Sequence, residues 1–193
     1  MSKIKSSIKS LNSFEETESL FSIIGIDETL KSTQKTNSKI NFDPKVKLKI
    51  YTDGGCQNNG YDNSYGGCGF VVTQNDELVF SNSSQFKDTT NNQMELRGMI
   101  EALKWCAKNN IKNPIICSDS QYCINGCTIW KAKWVNNDMY KKTPKKEENR
   151  VINSKIWLEL YSLQSVINPS FEWVKGHSGN KWNEMADELA SVS

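Results

Sequence analysis

The sequence predicts an α/β fold in which a five-stranded mixed sheet is flanked by helices, and two observations lead to it. Residues 46–86 contain alternating, β-branched segments separated by short turns, which is typical of three consecutive antiparallel strands. After residue 90, helical segments alternate with two short strand segments, the arrangement that adds parallel strands to a sheet. The predicted order is therefore β-β-β-α-β-α-α-β-α.

The first three strands are predicted from period-two alternation and turn residues. The segment "VKLKIYTD" starts a strand at Val46, and we predict that this strand stops at Gly54-Gly55. The segments "GCGFVVTQ" and "ELVFSNSSQF" follow it, with "NDE" at the turn between them. Three strands connected in meander order are therefore expected.

The second half of the chain has helical periodicity interrupted by two strands. A long helix is predicted from Asn92 to about Lys108, and "PIICSD" after it has the profile of a buried parallel strand. A further helix around residues 156–167 precedes the strand "SFEWVKG". The final segment, "SGNKWNEMADELA", predicts an amphipathic helix with an acidic outer face.

Composition excludes several classes of protein. The chain has 193 residues, no run of about 18 apolar residues, and a net charge of +2, so we expect no membrane span and only local basic patches for a nucleic acid. Six cysteines without a CxxC pair and a single histidine argue against a zinc site. Reduced thiols in an intracellular protein, cytoplasmic or nuclear, are the expectation.

Residues 1–45 differ from the remainder by their high content of Ser, Lys and Asn around one apolar segment, "LFSIIGI". This composition predicts a disordered N-terminal tail, in which a short helix could start near Ser13 with Glu16 completing a capping box. An organelle-targeting segment is the alternative, and the absence of arginine argues against it.

Three acids lie where strands end or helices begin. Asp53 closes the first strand, Asp119 closes the strand "IICSD", and Glu95 lies near the start of the long helix. Each has an ordinary explanation as a strand-end, helix-capping or helix-dipole residue. In a sheet with parallel strands, however, these positions converge on one edge. Carboxylates that meet there would need a cation, and oxygen ligands without His or Cys indicate Mg²⁺ or Mn²⁺.

Five motifs carry a resemblance to a known family. The segments "IYTDGGCQNNG", "TTNNQMELRGMIEAL", "SDSQYCINGCTIW", "EWVKGHSGN" and "NEMADELA" are similar to the successive motifs of type 1 ribonuclease H, in the order and spacing of that family. The resemblance covers residues 46–193 and implies a ribonuclease H-like fold. It also implies that Asp187 is a fourth metal-binding carboxylate and that His177 is the histidine of a mobile loop.

The resemblance implies a mechanism with two Mg²⁺ ions, for which Mn²⁺ is the expected substitute. Asp53 would bridge both ions, and Asp119 would complete the site of the ion that activates water. Glu95 and Asp187 would hold the ion that stabilises the leaving 3′-oxygen. His177 would assist proton movement or product departure; a solvated loop residue is the alternative reading.

The resemblance also implies contacts with the RNA strand of an RNA–DNA hybrid. The 2′-hydroxyl group distinguishes RNA from DNA because it both donates and accepts hydrogen bonds. Four residues, Cys56, Asn58, Asn91 and Gln121, would lie along the minor groove.

On the DNA strand, Thr90 and Asn153 match the phosphate pocket of the family. A basic residue often found two positions before this threonine is replaced here by Asp88, which puts the strength of the pocket in doubt. Tyr122, Trp130 and Trp134 would form an aromatic channel for the DNA backbone, although tryptophans four residues apart on a helix also fit a core face.

A basic segment occupies residues of about 128–152. Six lysines and Arg150 occur between residues 131 and 150 with only three acids. A solvated loop is the simplest interpretation of such a run. The resemblance identifies it with the basic protrusion of many family members, which would add salt-sensitive affinity for phosphates.

The sequence therefore predicts a monomeric, sequence-independent endoribonuclease that cleaves the RNA strand of RNA–DNA hybrids, leaving 3′-hydroxyl and 5′-phosphate ends. A non-catalytic hybrid-binding protein is the first alternative, and the four carboxylates argue against it. A nuclease domain serving a polymerase or transposase is the second.

Overall fold

The computed structural model describes residues 42–191, in which five strands form a single mixed sheet. The strands are β1 (Lys49–Gln57), β2 (Tyr65–Gln74), β3 (Glu77–Lys87), β4 (Ile115–Ser118) and β5 (Ser170–Trp173). Their order across the sheet is β3-β2-β1-β4-β5, with antiparallel pairing among the first three strands and parallel pairing of β4 with β1 and β5. The predicted mixed sheet is confirmed.

The helices also follow the predicted order. They are α1 (Asn91–Lys108), α2 (Gln121–Asn125), α3 (Lys131–Asn136), α4 (Ser154–Ile167) and α5 (Lys181–Ala190). A π-helical turn at Gly126–Trp130 joins α2 to α3, and a short 3-10 turn at Glu147–Asn149 lies before α4. No helix among residues 42–191 is long and apolar enough to cross a membrane.

The sheet is covered on both faces, as the alternation of its strands requires. Ile50 and Phe70 point into the larger apolar cluster, where Trp157 of α4 is fully buried. Tyr51 and Val71, one position along, belong to a smaller cluster beneath α5. Burying such a side chain contributes roughly 1.5–3 kcal/mol, so these two layers fix where the ends of β1 and β4 lie.

The prediction that the first strand stops at Gly54-Gly55 is wrong. β1 continues to Gln57 and remains paired with β2 through Gln57↔Tyr65. A Cβ atom on Gly54 would lie 2.2 Å from the backbone nitrogen of Glu95. The glycine is therefore required by the close approach of α1 and does not mark a turn.

Two of the ordinary explanations for the acids are also wrong. The N-cap of α1 is Thr90, whose side chain accepts a hydrogen bond from the backbone of Gln93, and no acid lies in the first turn of this helix. Glu95 consequently lies beyond the turn where the helix dipole acts most strongly. The N-cap of α2 is Ser120, so Asp119 does not cap that helix.

Folded contacts begin a few residues before Val46. Phe42 packs against the larger apolar cluster, and the backbone nitrogen of Asp43 donates a 2.8 Å hydrogen bond to Oε1 of Gln74. Nε2 of Gln74 donates in return to the carbonyls of Asp43 and Val46. The predicted disordered tail, with its short helix near Ser13, lies almost entirely outside the described residues.

Candidate active site

Three carboxylates meet where β1, α1 and β4 converge. Asp53 lies within β1, Glu95 lies on α1, and Asp119 directly follows β4. One oxygen from each carboxylate lies within 4.8 Å of the others. The strand and helix positions that the sequence suggested therefore come together in space.

Close backbone packing brings Asp53 and Glu95 together. The α1 backbone at Met94 and Glu95 leaves no room for a Cβ atom on Gly54. On the helix side, a Cβ atom on Gly98 would lie 2.9 Å from the carbonyl oxygen of Asp53. Glycine at both positions allows α1 to cross β1 at main-chain distance.

The carboxyl groups of Asp53 and Glu95 are hard to ionise in the metal-free protein. Burial, followed by the negative charge of Asp119, raises the pKa of Asp53 to about 7, although its Oδ1 accepts a hydrogen bond from the Gly54 amide. Burial and the charges of Asp53, Asp119 and Asp187 raise the pKa of Glu95 to about 9. A bound cation would favour the ionised forms of both carboxyl groups and so lower both pKa values.

The residues fit a hard divalent cation. Oε2 of Glu95 is buried and has no hydrogen-bond partner among the described residues. Such an atom costs free energy unless a ligand satisfies it. Carboxylate oxygens without histidine or thiol ligands suit Mg²⁺ or Mn²⁺. The geometry of Asp53, Glu95 and Asp119 can therefore hold a metal ion.

Asp119 is enclosed by residues that the sequence analysis did not select. Nδ2 of Asn183 donates a 3.1 Å hydrogen bond to Oδ2 of Asp119, and the indole nitrogen of Trp173 donates to its backbone carbonyl. A Cβ atom on Gly176 would lie 2.4 Å from the same Oδ2. The Asn183 contact joins residues 64 positions apart, a separation at which no sequence pattern could indicate it.

Asp187 and His177 lie beside the cluster. Asp187, on α5, is not one of the three grouped carboxylates, but its charge raises the pKa of both Asp53 and Glu95. Nδ1 of His177 lies 3.9 Å from Oδ2 of Asp187, and the histidine side chain is 81% exposed. The loop that carries His177 connects β5 to α5. The φ angle of His177 is 48°, a value that is uncommon for residues other than glycine.

The four residues assigned to the RNA strand occupy the surface around α1 and α2. Asn58, Asn91 and Gln121 are exposed, and Cys56 is half-buried, with its thiol near the carbonyl of Thr89. Oδ1 of Asn59 accepts a 3.0 Å hydrogen bond from the backbone of Asn91. Asn59, which the sequence analysis passed over for its neighbour Asn58, therefore ties the β1–β2 loop to α1.

Thr90 and Asn153 are linked through a residue that was also missed. The Thr90 side chain accepts from the backbone of Gln93, and Nε2 of Gln93 donates a 3.2 Å hydrogen bond to Oδ1 of Asn153. An open cavity of about 430 Å³ lies beside them. It is lined by Gln93 and by residues 150–156, including the two cations Arg150 and Lys155.

The aromatic residues form one continuous cluster. Ring centroids lie 6.2 Å apart for Tyr122 and Trp130, and 5.2 Å apart for Trp130 and Trp134. The buried Trp157 contacts both Tyr122 and Trp134, and its indole nitrogen donates to the Tyr122 hydroxyl. Trp130 and Trp134 are half-buried, so both present surface to solvent. Trp134 packs on the core, and Trp130 packs on Tyr122 and Trp134.

The basic segment combines α3 with an irregular loop. Its lysines fall into two pairs that differ in their surroundings. Lys145 lies 2.7 Å from Asp138, and Lys146 lies 3.9 Å from Glu148. Lys141 and Lys142 are exposed and have no ion pair with any described residue.

The comparisons with known proteins agree with this geometry. The family model for RNase H matches residues 45–193. Ribonuclease H of Francisella tularensis subsp. novicida strain U112 is 41% identical over 152 residues, or 78% of this chain and 92% of that protein. LC9-RNase H1, a type 1 RNase H with the type 2 active-site motif, is 26% identical with a TM-score of 0.61, covering 79% of this chain and 72% of that one. LC11-RNase H1, solved with an RNA/DNA hybrid, shares the fold at 20% identity and a TM-score of 0.53, over 75% and 94% of the two chains.

The fold, the carboxylate cluster and these similarities define a nuclease, a hydrolase that acts on phosphodiester bonds. The chain belongs to the ribonuclease H family, as a member of type 1.

Proposed function

We propose that this chain is a sequence-independent endoribonuclease that hydrolyses the RNA strand of RNA–DNA hybrids, leaving 3′-hydroxyl and 5′-phosphate ends. The observation that carries the proposal is the cluster of Asp53, Glu95 and Asp119, with the unsatisfied Oε2 of Glu95, in a chain of the ribonuclease H family. A module that only binds hybrids has no need to crowd these acids beside a phosphate.

Asp53, Glu95, Asp119 and Asp187 are proposed to hold two Mg²⁺ ions, with Mn²⁺ as a substitute. Bound there, the ions would neutralise charge at the phosphate and lower the pKa of the attacking water. Asp53 is buried and Oε2 of Glu95 is shielded from solvent, so both carboxylates would be held in fixed orientations toward the ions. His177, which is exposed and whose Nδ1 lies 3.9 Å from Oδ2 of Asp187, is proposed to carry a proton between the cluster and solvent.

The RNA strand would be recognised by backbone and amide groups around the start of α1. Asn58, Asn91 and Gln121 offer both donors and acceptors at the surface, which a 2′-hydroxyl requires. Cys56 would contribute chiefly through its main chain, because its thiol already lies within 3.4 Å of the Thr89 carbonyl.

The DNA strand would lie across Thr90, Asn153 and the aromatic cluster. Lys155, an exposed cation on the rim of the cavity beside Asn153, is proposed to take the role of the basic residue that Asp88 replaces. Arg150 is less available, since its guanidinium already donates to Glu147 and to the Tyr140 hydroxyl. Tyr122, Trp130 and Trp134 would pack against the sugars.

The basic segment, at about residues 128–152, would add non-specific affinity for the hybrid backbone. Lys141 and Lys142 are proposed as its main phosphate contacts because nearby acids already engage Lys145 and Lys146. We propose that the protein acts as a monomer, because the cluster draws its three carboxylates from one chain. The catalytic domain, predicted as residues 46–193, is proposed to include Phe42 and Asp43 as well, because both contact it, and the remainder of residues 1–45 is proposed to lie outside it.

The proposal is tested by incubating the purified protein with an end-labelled RNA–DNA hybrid, duplex RNA and duplex DNA, with Mg²⁺ or with EDTA. Cleavage of the RNA strand of the hybrid alone, only when Mg²⁺ is present, is expected. Binding of the hybrid without cleavage in Mg²⁺ or Mn²⁺ would favour a hybrid-binding protein, and cleavage of duplex DNA would contradict the substrate assignment.

A further inference from the structure

Asn183 is a buried amide in contact with the carboxylate cluster. It lies in the first turn of α5 and is 2% exposed. Its Nδ2 donates a 3.1 Å hydrogen bond to Oδ2 of Asp119. A hydrogen bond to a charged acceptor is stronger than a neutral one and is directional, so this contact restricts the orientation of the Asp119 carboxylate.

The other end of the same amide has no partner. Oδ1 of Asn183 is buried and accepts no hydrogen bond from any described residue. A buried acceptor left in this state costs free energy of folding, whereas an apolar side chain of the same shape would not incur that cost. The unsatisfied Oδ1 therefore offsets what the hydrogen bond to Asp119 contributes, and the asparagine adds little net stability to the fold.

Two neighbouring features indicate what the hydrogen bond between Asn183 and Asp119 holds in place. The main chain at Gly176 covers Oδ2 of Asp119, since a Cβ atom there would lie 2.4 Å from it. Oδ2 is thus enclosed between Asn183 and the loop that carries His177. Asp187 follows Asn183 by one helical turn and shares its side of α5.

We propose that Asn183 is a positioning residue for the hydrolysis. Its Nδ2 holds Oδ2 of Asp119, which directs the carboxylate toward Asp53 and Glu95 and keeps its Oδ1 available as a ligand. The same bond fixes the register of α5, and therefore of Asp187, against the end of β4. This inference rests on the proposed metal-dependent function of the cluster.

Replacing Asn183 with leucine tests the inference, because leucine branches at the same carbon but neither donates nor accepts. Three quantities are measured: the melting temperature in EDTA, the affinity for Mg²⁺ by calorimetry without substrate, and the steady-state cleavage of the hybrid. Residues that orient metal ligands typically contribute about 10- to 100-fold in metal affinity or activity. We expect Asn183→Leu to weaken Mg²⁺ binding by at least about tenfold and to lower kcat with KM for the hybrid unchanged.

The melting temperature distinguishes positioning from a purely structural role. It should stay close to that of the parent in Asn183→Leu, because the lost hydrogen bond to Asp119 is offset by the removal of the unsatisfied Oδ1. Thr52→Val is the matched control, because Thr52 is fully buried and its Oγ1 also lacks a partner among the described residues. Thr52 precedes Asp53 on the strand and so points to the opposite face; its variant should bind Mg²⁺ as the parent does.

The outcomes separate the two proposals. Unchanged Mg²⁺ affinity in folded Asn183→Leu overturns the positioning role, and so does an equal loss of affinity in Thr52→Val. If the parent protein itself binds no Mg²⁺, the proposed function fails first. Should the leucine variant not fold, Asn183→Ala is measured with the same readouts, and unchanged Mg²⁺ binding by that variant likewise overturns the positioning role.

Discussion

Replacing Asp53 with asparagine should abolish cleavage and at the same time stabilise the metal-free protein. Asn can still accept the hydrogen bond that the Gly54 amide donates to Oδ1 of Asp53. It cannot supply the negative charge that Asp53 would contribute as a metal ligand. The variant should therefore fold, bind hybrid, and cut no RNA in Mg²⁺.

The expected stabilisation follows from the pKa of Asp53, which burial and Asp119 raise from its usual 3.8 to about 7. A rise of about 3 in pKa corresponds to about 4 kcal/mol at a pH where the folded carboxyl is ionised. The asparagine amide is also desolvated at this site, so about 2 kcal/mol is the net expectation. That corresponds to a melting temperature higher by about 4–8 °C.

The sign of the pH dependence is fixed by the direction of this pKa change. Because the folded pKa is raised, the carboxyl group is best tolerated when protonated, so the parent loses stability as pH rises from about 4 through about 7. The difference in stability between Asp53→Asn and the parent should therefore increase over that pH range and stay constant above it. Mg²⁺ should raise the melting temperature of the parent more than that of the variant.

The difference in melting temperature between Asp53→Asn and the parent is measured by thermal unfolding in EDTA. The pH is varied from 4.5 to 8.5 in steps of about half a unit. Asp62→Asn, a change of the same chemistry in the exposed β1–β2 loop, should leave the unfolding profile as it is. A gap between Asp53→Asn and the parent that does not change with pH would refute the electrostatic argument. Near-normal turnover by the variant in Mg²⁺ would refute the metal-ligand assignment.

Three further perturbations have defined outcomes. Deleting residues 1–41 should leave cleavage within about tenfold of the parent, and a larger loss of activity in that variant, if it folds, would assign the tail a catalytic role. Extending the deletion past Phe42 should lower the melting temperature because Phe42 packs on the core. Gly54→Ala should destabilise the protein by about 3 kcal/mol, the upper end of the usual cost of overpacking, since its Cβ would lie 2.2 Å from α1 backbone atoms. A stable, active variant in unfolding and cleavage assays would contradict this packing. Replacing Lys141 and Lys142 with alanine should flatten the slope of log affinity against log salt by about 1–2, more than the same change at the two lysines already paired with acids, and equal slopes would return the segment to a solvated loop.

Local sequence patterns were sufficient to predict the order of the elements. The strand around Val71 alternates between two apolar faces, and the short apolar segment around Ile116 is buried on both sides, as the structure confirms. These signals depend on residues a few positions apart. Gly54 was wrongly predicted to end the strand because glycine is needed there for contact with a helix some 40 positions later. Turn statistics do not include such distant contacts.

The same distinction separates the parts of the site. Asp53, Glu95 and Asp119 could be selected because acids at strand ends and near helix starts are visible along the chain. Gln93 and Asn183 were missed because each is an ordinary helical polar residue until its partner, about 60 positions away, is brought beside it. Long-range hydrogen bonds of this kind have no periodicity, so only the folded structure reveals them.

The contact between Gly54 and the backbone of α1 also bears on which ions the protein can accept. Asp53 and Glu95 are carried by main-chain segments that already touch, so repacking of side chains cannot move those segments apart. Oxygen ligands lie at about 2.0–2.1 Å from Mg²⁺ and about 2.3–2.6 Å from Ca²⁺. A larger ion would have to be accommodated by the side chains of Asp53 and Glu95 alone, with the main-chain crossing unchanged. If the cluster binds Mg²⁺ as proposed, selection by ionic radius would depend on Gly54, Gly98 and the helix crossing as well as on the acids.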